Sequence, residues 1–211
     1  MLNSQAGSDM DIQDLLLEIR QVEHGFKHII EAGEKILAER DVNHFDVAVG
    51  LLSEETYQLR MLGTHLLGEL SPVQPGALKI LQTQVAADPN WRVQEMLAKA
   101  FDHYCQIIGY EHAAPIIREW LNIENANVNR AVVEGLRIWT SRPYFNTNPE
   151  IAITLISQHK ANQSEYLRKS VGNALRDIRK KYPALIDHET AGWDLTDTKI
   201  KFTHKLVYKT K

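Results

Sequence analysis

The sequence predicts an all-α protein in which similar helix pairs stack side by side as an α-solenoid. A five-residue pattern with apolar first and last positions recurs along the chain, beginning at Leu62, Leu97, Val132 and Val171. Successive starts lie 35, 35 and 39 residues apart, and three of the four second positions are Gly or Ala. One helix pair cannot bury its own apolar stripe, so repeats of this length are typical of pairs that stack on their neighbours.

Second helices are expected between these first helices, near residues 75–87, 110–121 and 148–159. Turn-forming segments separate the predicted helices: Ser71-Pro72, Asp88-Pro89-Asn90, Asn125-Ala126-Asn127 and Asn146-Thr147-Asn148-Pro149. The regular spacing favours a solenoid of the HEAT or armadillo type over an ordinary helical bundle, which is the competing architecture. In such a solenoid the third residues of the four patterns share one row on one face: Thr64, Lys99, Glu134 and Asn173.

The two ends of the chain differ from the repeats. Residues 1–9 are small and polar and are predicted to form a disordered lead, whereas residues 10–190 are predicted to form the HEAT-like repeat domain. Gly192-Trp193-Asp194 breaks the helical pattern, and residues 199–208 then alternate polar and apolar side chains. This alternation predicts a short extended C-terminal tail at residues 191–211, rich in lysine. Such a tail lies against the solenoid, pairs with a partner, or acts as a flexible basic arm.

The composition indicates an ordinary cytoplasmic protein. Mean hydropathy is −0.32, and no apolar run approaches the roughly 18–20 residues of a membrane span. The first residues lack the basic-then-apolar order of a signal peptide. The single cysteine, Cys105, lies in an apolar stretch and is expected to be buried and structural. We expect a monomer with no membrane association and no obligatory protein partner.

Positive charge is concentrated towards the C-terminus. The chain carries a net charge of −3, but residues 130–211 hold 15 Lys and Arg against 8 Asp and Glu. A helix predicted over residues 165–183 turns apolar side chains to one side and cations to the other: Arg168, Lys169, Arg176, Arg179, Lys180 and Lys181. This cationic face is either a solvated surface or a surface that lies along phosphates.

Three carboxylates on the predicted first helices are candidates for chemistry: Glu95, Glu134 and Asp177. Each also has cations within one helical turn: Lys99 for Glu95, Arg130 and Arg137 for Glu134, and Lys181 for Asp177. Such pairs contribute only about 0.2–0.5 kcal/mol and are common, so surface ion pairing is an alternative role for all three acids. Gly135 costs about 1 kcal/mol relative to Ala inside a helix, which indicates that some group approaches closely there.

The loop after this helix combines aromatic rings with a cation. Trp139, Arg142 and Pro143 precede Tyr144 and Phe145. The loop could hold a base or sugar against a phosphate, or its aromatic rings could pack between repeats. The sequence contains no P-loop, GxGxxG or HExxH motif. We expect no metal site either, because the helical pair His24 and His28 has no third ligand nearby.

Four segments together resemble the HEAT-like-repeat DNA alkylation repair proteins, the AlkC/AlkD group, and the resemblance is nearer to AlkC. These segments are Trp91–Glu95 (WRVQE), Glu134–Arg137 (EGLR), Trp139–Pro143 (WTSRP) and Tyr166–Asp177 (YLRKSVGNALRD). The resemblance covers about residues 88–186. It implies a DNA glycosylase that excises N3- or N7-alkylated purines from duplex DNA, without a metal or nucleotide cofactor. It also implies a lesion site at Glu95, Glu134 and Asp177, and DNA contacts from Trp91, Trp139, Arg142, Arg168, Lys169, Arg176 and Lys180.

The implied reaction is chemically reasonable for these residue types. An alkylated purine is cationic and leaves readily, while the sugar acquires oxocarbenium character that a fixed carboxylate stabilises. Two other functions are compatible with the sequence. One is a non-catalytic binder of damaged or branched DNA, and the other is a protein-interaction solenoid that docks an acidic partner on its basic face.

Overall fold

The computed structural model describes residues 12–210, and this part of the chain is helical throughout, with no strand. The thirteen α-helices are α1 (Ile12–Arg20), α2 (Lys27–Ala38), α3 (His44–Leu51), α4 (Tyr57–Leu70), α5 (Pro75–Thr83), α6 (Trp91–Ile108), α7 (Ala114–Asn122), α8 (Ala126–Gly135), α9 (Pro143–Thr147), α10 (Pro149–Ser157), α11 (Glu165–Arg179), α12 (Pro183–Ala191) and α13 (Thr198–Val207). Short 3₁₀ turns occupy Val85–Ala87 and Trp139–Ser141. The lead predicted over residues 1–9 lies outside the described residues.

The helices stack as the repeat spacing predicts. Each of α4, α6, α8, α11 and α13 packs against the next, and we call these five helices the first row. The shorter helices α5, α7, α10 and α12 form a second layer: α5 packs against α4, α7 against α8, and α10 and α12 against α11. The all-α repeat fold is therefore confirmed, with the four pattern-bearing helices side by side. Of the four residues predicted to share one face, Thr64 is fully buried whereas Lys99 is exposed.

Short polar residues and prolines set the helix boundaries where the sequence predicts turns. The side chains of Asn90, Asn125 and Ser164 accept hydrogen bonds from backbone N–H groups in the first turns of α6, α8 and α11. Pro75, Pro149 and other prolines stand in the first turn of second-layer helices, where the missing N–H costs nothing. The side-chain caps fix where α6, α8 and α11 begin, and hence which side chains reach their outer faces.

Glycines let neighbouring first-row helices approach closely. A Cβ at Gly135 would overlap the carbonyl oxygen of Ala98, and a Cβ at Gly68 would lie 2.7 Å from that of Ala100. The close approach indicated by Gly135 is therefore made by the neighbouring helix α6. Cys105 is fully buried as expected, and burial raises the pKa of its thiol, which suits a structural role.

The prediction of an extended tail is wrong, because residues 198–207 form α13. The carboxylate of Asp197 accepts hydrogen bonds from the N–H groups of Lys199 and Ile200 and starts the helix. Thr203 and Val207 are buried four residues apart, a spacing that also fits a helix and that polar–apolar alternation did not distinguish. Gly172 on α11 gives α13 room to pack, so the C-terminal segment extends the first row.

No helix within residues 12–210 combines the length and apolarity needed to cross a membrane.

Substituting Gly135 by Ala should lower the free energy of unfolding by about 1–3 kcal/mol, because the added methyl group forces α6 and α8 apart. Urea unfolding measures the change. The matched control is Gly50→Ala in α3, where nothing lies within 4 Å of the added methyl group. That substitution should stabilise the protein by about 0.5–1 kcal/mol. Equal stability of the two variants would contradict the close packing of the first row.

Candidate nucleic-acid interface

The Glu95 carboxylate is held by a cation from the next repeat. Arg130 on α8 donates to Glu95 on α6 in a short ion pair, and the Arg130 side chain is only 5% exposed. The guanidinium also lies over the ring of Tyr166, with its central carbon 4.0 Å from the ring centre. Burial raises the pKa of Tyr166, and the nearby negative charge of Glu95 adds to this shift. The Glu95 side chain nevertheless remains 32% exposed, so the carboxylate is held by Arg130 and is still accessible from solvent.

A second cation joins the other two predicted acids. The Nε of Arg137 donates to Asp177 at 2.8 Å, and its Nη1 donates to Glu134 at 3.3 Å. Lys180 adds a hydrogen bond of 2.6 Å to Asp177. Because one guanidinium contacts both acids, the carboxylates of Glu134 and Asp177 point to the same side of the first row. This is the arrangement that a shared site for the predicted acids requires.

The charge state of Asp177 follows from these contacts. Its side chain is only 7% exposed, and this burial by itself would raise the pKa of the carboxyl group. The hydrogen bonds from Lys180 and Arg137 outweigh the effect of burial and lower the pKa below its ordinary value. Asp177 is therefore a buried carboxylate neutralised by two cations.

Two of the acids line one groove on the first row. A cavity of about 330 Å³ is bounded by Glu95 and Ala98 on α6 and by Glu134 and Gly135 on α8, with Arg137 at its edge. Gln106 and four side chains that can carry charge of either sign complete its lining: Lys99, Asp102, His103 and Arg142. We refer to this cavity, together with the adjoining Asp177, as the acidic groove. Within residues 12–210, no cluster of three or more acidic, histidine or cysteine side chains has the arrangement of a metal site.

Two residues predicted to contact DNA lie inside the protein, which corrects those two assignments. Trp139 is fully buried, donates from its indole nitrogen to the carbonyl of Val133 and packs against Phe145. The aromatic residues of this loop therefore fill the core between repeats, the alternative that the sequence left open. Arg168 is 8% exposed and donates to the carbonyls of Asn162 and Gln163, so it braces the turn before α11.

The other predicted contact residues reach the surface to different degrees. Trp91, at the start of α6, is 53% exposed, and the guanidinium of Arg92 stacks on its ring at 4.5 Å. Lys169 and Lys180 are exposed, and Arg176 is half-buried. Arg142 lines the acidic groove but is engaged by Asp102 at 2.6 Å.

Helical spacing paired Arg137 with Glu134 correctly but missed its contact with Asp177. It assigned Arg130 to Glu134, whereas Arg130 pairs with Glu95. Helical periodicity indicates contacts only between residues of the same helix, three or four positions apart. The true partner of Glu95 lies 35 residues away, which is one repeat step, so the repeat spacing itself contained the signal. Arg137 and Asp177 are similarly separated by 40 residues.

Comparison with known proteins identifies the family and the fold of this chain. Residues 26–188 match the family model described as "DNA alkylation repair enzyme". A solved structure of AlkD2 from Streptococcus mutans is 43% identical, with a TM-score of 0.89 over 94% of this chain and 96% of that chain. The structure of smu.31 from Streptococcus mutans UA159 is 41% identical, with a TM-score of 0.83 over 94% of each chain.

More distant relatives share the fold or part of the sequence. AlkC from Pseudomonas fluorescens, an alkylpurine DNA glycosylase solved with DNA containing an abasic site analogue, is 18% identical, with a TM-score of 0.64 over 93% of this chain and 54% of that chain. The uncharacterized protein YhaZ of Bacillus subtilis is 30% identical over 95 residues, which are 43% of this chain and 27% of that protein.

The resemblance found in the sequence is confirmed at the level of the family. Within the group, identity and structural similarity are greater to AlkD2 than to AlkC, the reverse of the expected order. The family model covers most of the first row, including all three predicted acids and the helices that carry them. This chain therefore belongs to the DNA alkylation repair enzyme family.

Proposed function

We propose that the chain acts in DNA alkylation repair by binding duplex DNA along the acidic groove and excising a cationic alkylpurine with the help of Glu95. The observation that carries this proposal is the Glu95 carboxylate itself. It is anchored by the buried Arg130, yet about a third of the side chain faces solvent in the groove. A group that is fixed and accessible in this way can stabilise developing positive charge without reorganising.

The three acids then have different roles. Glu95 faces the sugar as it becomes oxocarbenium-like, and an already cationic purine leaves with the bonding electrons as a neutral base, without needing a general acid. Water then adds to the sugar carbon and loses a proton to the solvent. Asp177 is too buried and too fully paired to approach a ligand, so it positions Arg137. Glu134 shares that guanidinium and lines the groove beside Glu95. No metal or nucleotide cofactor enters this mechanism.

Cations near the outer face of the first row supply the contacts to the DNA backbone. Lys169 and the half-buried Arg176 lie on α11, Lys180 directly follows this helix, and Trp91 with its stacked Arg92 lies at the start of α6. Cations neutralise phosphates and an exposed indole can stack on a base or sugar, so these groups hold a duplex across the first row.

A second candidate function is binding of damaged or branched DNA without base release. Two features of the structure favour it. Each of the three carboxylates has a cationic partner that offsets its charge. Trp139, the aromatic expected at the lesion, is fully buried in the core.

Base release from methylated duplex DNA tests the first function. The wild-type protein should release alkylpurines, and Glu95→Gln should reduce release at least about 100-fold because the amide cannot stabilise the oxocarbenium charge. Duplex binding by this variant should be equal or tighter, since one negative charge has left the groove. Liquid chromatography of released bases and fluorescence anisotropy of a labelled duplex measure the two effects.

Glu150→Gln, an exposed substitution in the first turn of α10, is the control and should change neither quantity. Unchanged release by the Glu95 variant would refute the assigned mechanism. Duplex binding with no release by the wild-type protein would establish the second function, and no duplex binding at low salt would leave a protein-interaction role.

The structural role of Asp177 has its own test. Asp177→Asn should lower the free energy of unfolding at pH 7 by about 1–3 kcal/mol, because the charged hydrogen bonds from Arg137 and Lys180 are weakened. The folded pKa of Asp177 lies below its ordinary value of 3.8, so this stabilisation is present above that value. It is lost as the pH falls through the folded pKa.

Urea unfolding from pH 7 down to pH 3 should therefore show the wild-type and Asp177→Asn curves converging at the acidic end. Glu165→Gln removes an exposed ion pair on the same helix and should have little effect at any pH. A constant difference between the wild-type protein and the Asp177 variant across this range would show that the carboxylate charge is unimportant.

A further inference from the structure

A cationic cavity of about 440 Å³ lies at the C-terminal end of the first row, between the last turns of α11 and α13. Its lining includes five cationic side chains and one carboxylate, Asp177: the cations are Arg137, Arg176, Arg179, Lys180 and Lys209. Val207, Tyr208 and Thr210 complete the wall. The volume falls within the roughly 300–1,000 Å³ range of small-ligand pockets.

Two of these cations lack a carboxylate partner. Arg137 and Lys180 pair with Asp177, and Arg179 pairs with Asp187 at 3.0 Å. Within residues 12–210, neither Arg176 nor Lys209 forms an ion pair or a side-chain hydrogen bond. The cavity thus concentrates positive charge that the protein does not neutralise, and walls of one sign attract the opposite charge.

One wall of the cavity is fixed before any ligand arrives. The Tyr208 hydroxyl donates to Asp187 at 2.8 Å and lies 2.7 Å from the hydroxyl of Thr190. The guanidinium of Arg179 stacks over the Tyr208 ring at 4.5 Å. A site whose walls are already ordered loses less entropy when it binds. Arginine adds a planar fork of donors that matches the oxygen atoms of a phosphate.

We propose that this cavity binds a phosphate group, through Arg176 and Lys209, and that the phosphate belongs to a DNA strand lying in the acidic groove. The cavity shares Arg137 and Asp177 with that groove, so a strand in one is adjacent to the other. The assignment of DNA as the source of the phosphate rests on the proposed function, whereas the phosphate chemistry does not. The proposal gives α13 a function, because this helix positions Lys209, which lies two residues beyond its end.

Inorganic phosphate provides a test that needs no DNA. Isothermal titration at constant ionic strength should show saturable binding to the wild-type protein. The double variant Arg176→Gln/Lys209→Gln should bind phosphate at least about tenfold more weakly, because both unpaired cations are gone. Lys201→Gln removes an exposed lysine of α13 that does not line the cavity, and it should leave phosphate affinity within about twofold.

Nicked and intact duplexes then identify the source of the phosphate. If a backbone phosphodiester occupies the cavity, the double variant should bind intact duplex more weakly than the wild-type protein. The slope of log affinity against log salt concentration should also be smaller, by the contribution of about two phosphate contacts. A terminal phosphate predicts that the wild-type protein prefers a nick carrying a 5′-phosphate over a 5′-hydroxyl, and that the double variant loses this preference. Either result supports the proposal.

The proposal is overturned if the wild-type protein shows no saturable phosphate binding, or if the double variant binds phosphate and every duplex as the wild-type protein does. Circular dichroism checks that the double variant is folded, as expected for two side chains without internal partners. Failure of base release with phosphate binding intact would remove the glycosylase mechanism and leave the cavity assignment standing. Normal base release by the double variant, together with unaltered phosphate binding, would remove the cavity assignment and leave the glycosylase mechanism standing.

Discussion

Ion pairs between successive helices of the first row are the interactions on which the candidate site depends. Arg130 reaches from α8 to Glu95 on α6, and Arg137 reaches from the end of α8 to Asp177 on α11. Each pair needs its two helices at close range, and Gly135 permits this for α6 and α8. Truncating one partner would leave a charge in a partly buried place without compensation, and this costs more than the intact pair contributes. Packing and charge placement are thus coupled.

Much of the fold could be predicted because its signals are local or periodic. Asn90 and Asn125 cap helices where the sequence placed turns, and the spacing of 35–39 residues between patterns put four helices side by side. The site was harder, since its contacts cross from one repeat to the next. Glu95 was given Lys99 as its partner through helical spacing, whereas its actual partner is one repeat away. Trp139 fitted both a core and a surface role, and only packing against Phe145 decides between them.

The distribution of charge over the first row follows from the same pairs. At the centre of the row, Glu95, Glu134 and Asp177 are each paired with an arginine, so their charges largely cancel. The groove therefore presents fixed dipoles and little net electrostatic potential. Cations without acidic partners occur at the C-terminal end, where Arg176 and Lys209 flank the end of α13. A polyanion would therefore be attracted by the unpaired cations at the end of the row, and the ion-paired groups at its centre would orient it. This separation is compatible with an acidic N-terminal half and a net charge of −3.

The burial of Cys105 has a practical consequence for spectroscopy. It is the single cysteine of the chain, it is fully buried, and burial raises the pKa of its thiol, so it reacts slowly with alkylating reagents. A cysteine introduced at an exposed position such as Lys201 would carry a fluorophore or spin label selectively, without first removing the native thiol. Distances and motions along the row can thus be followed in solution on an otherwise unaltered molecule.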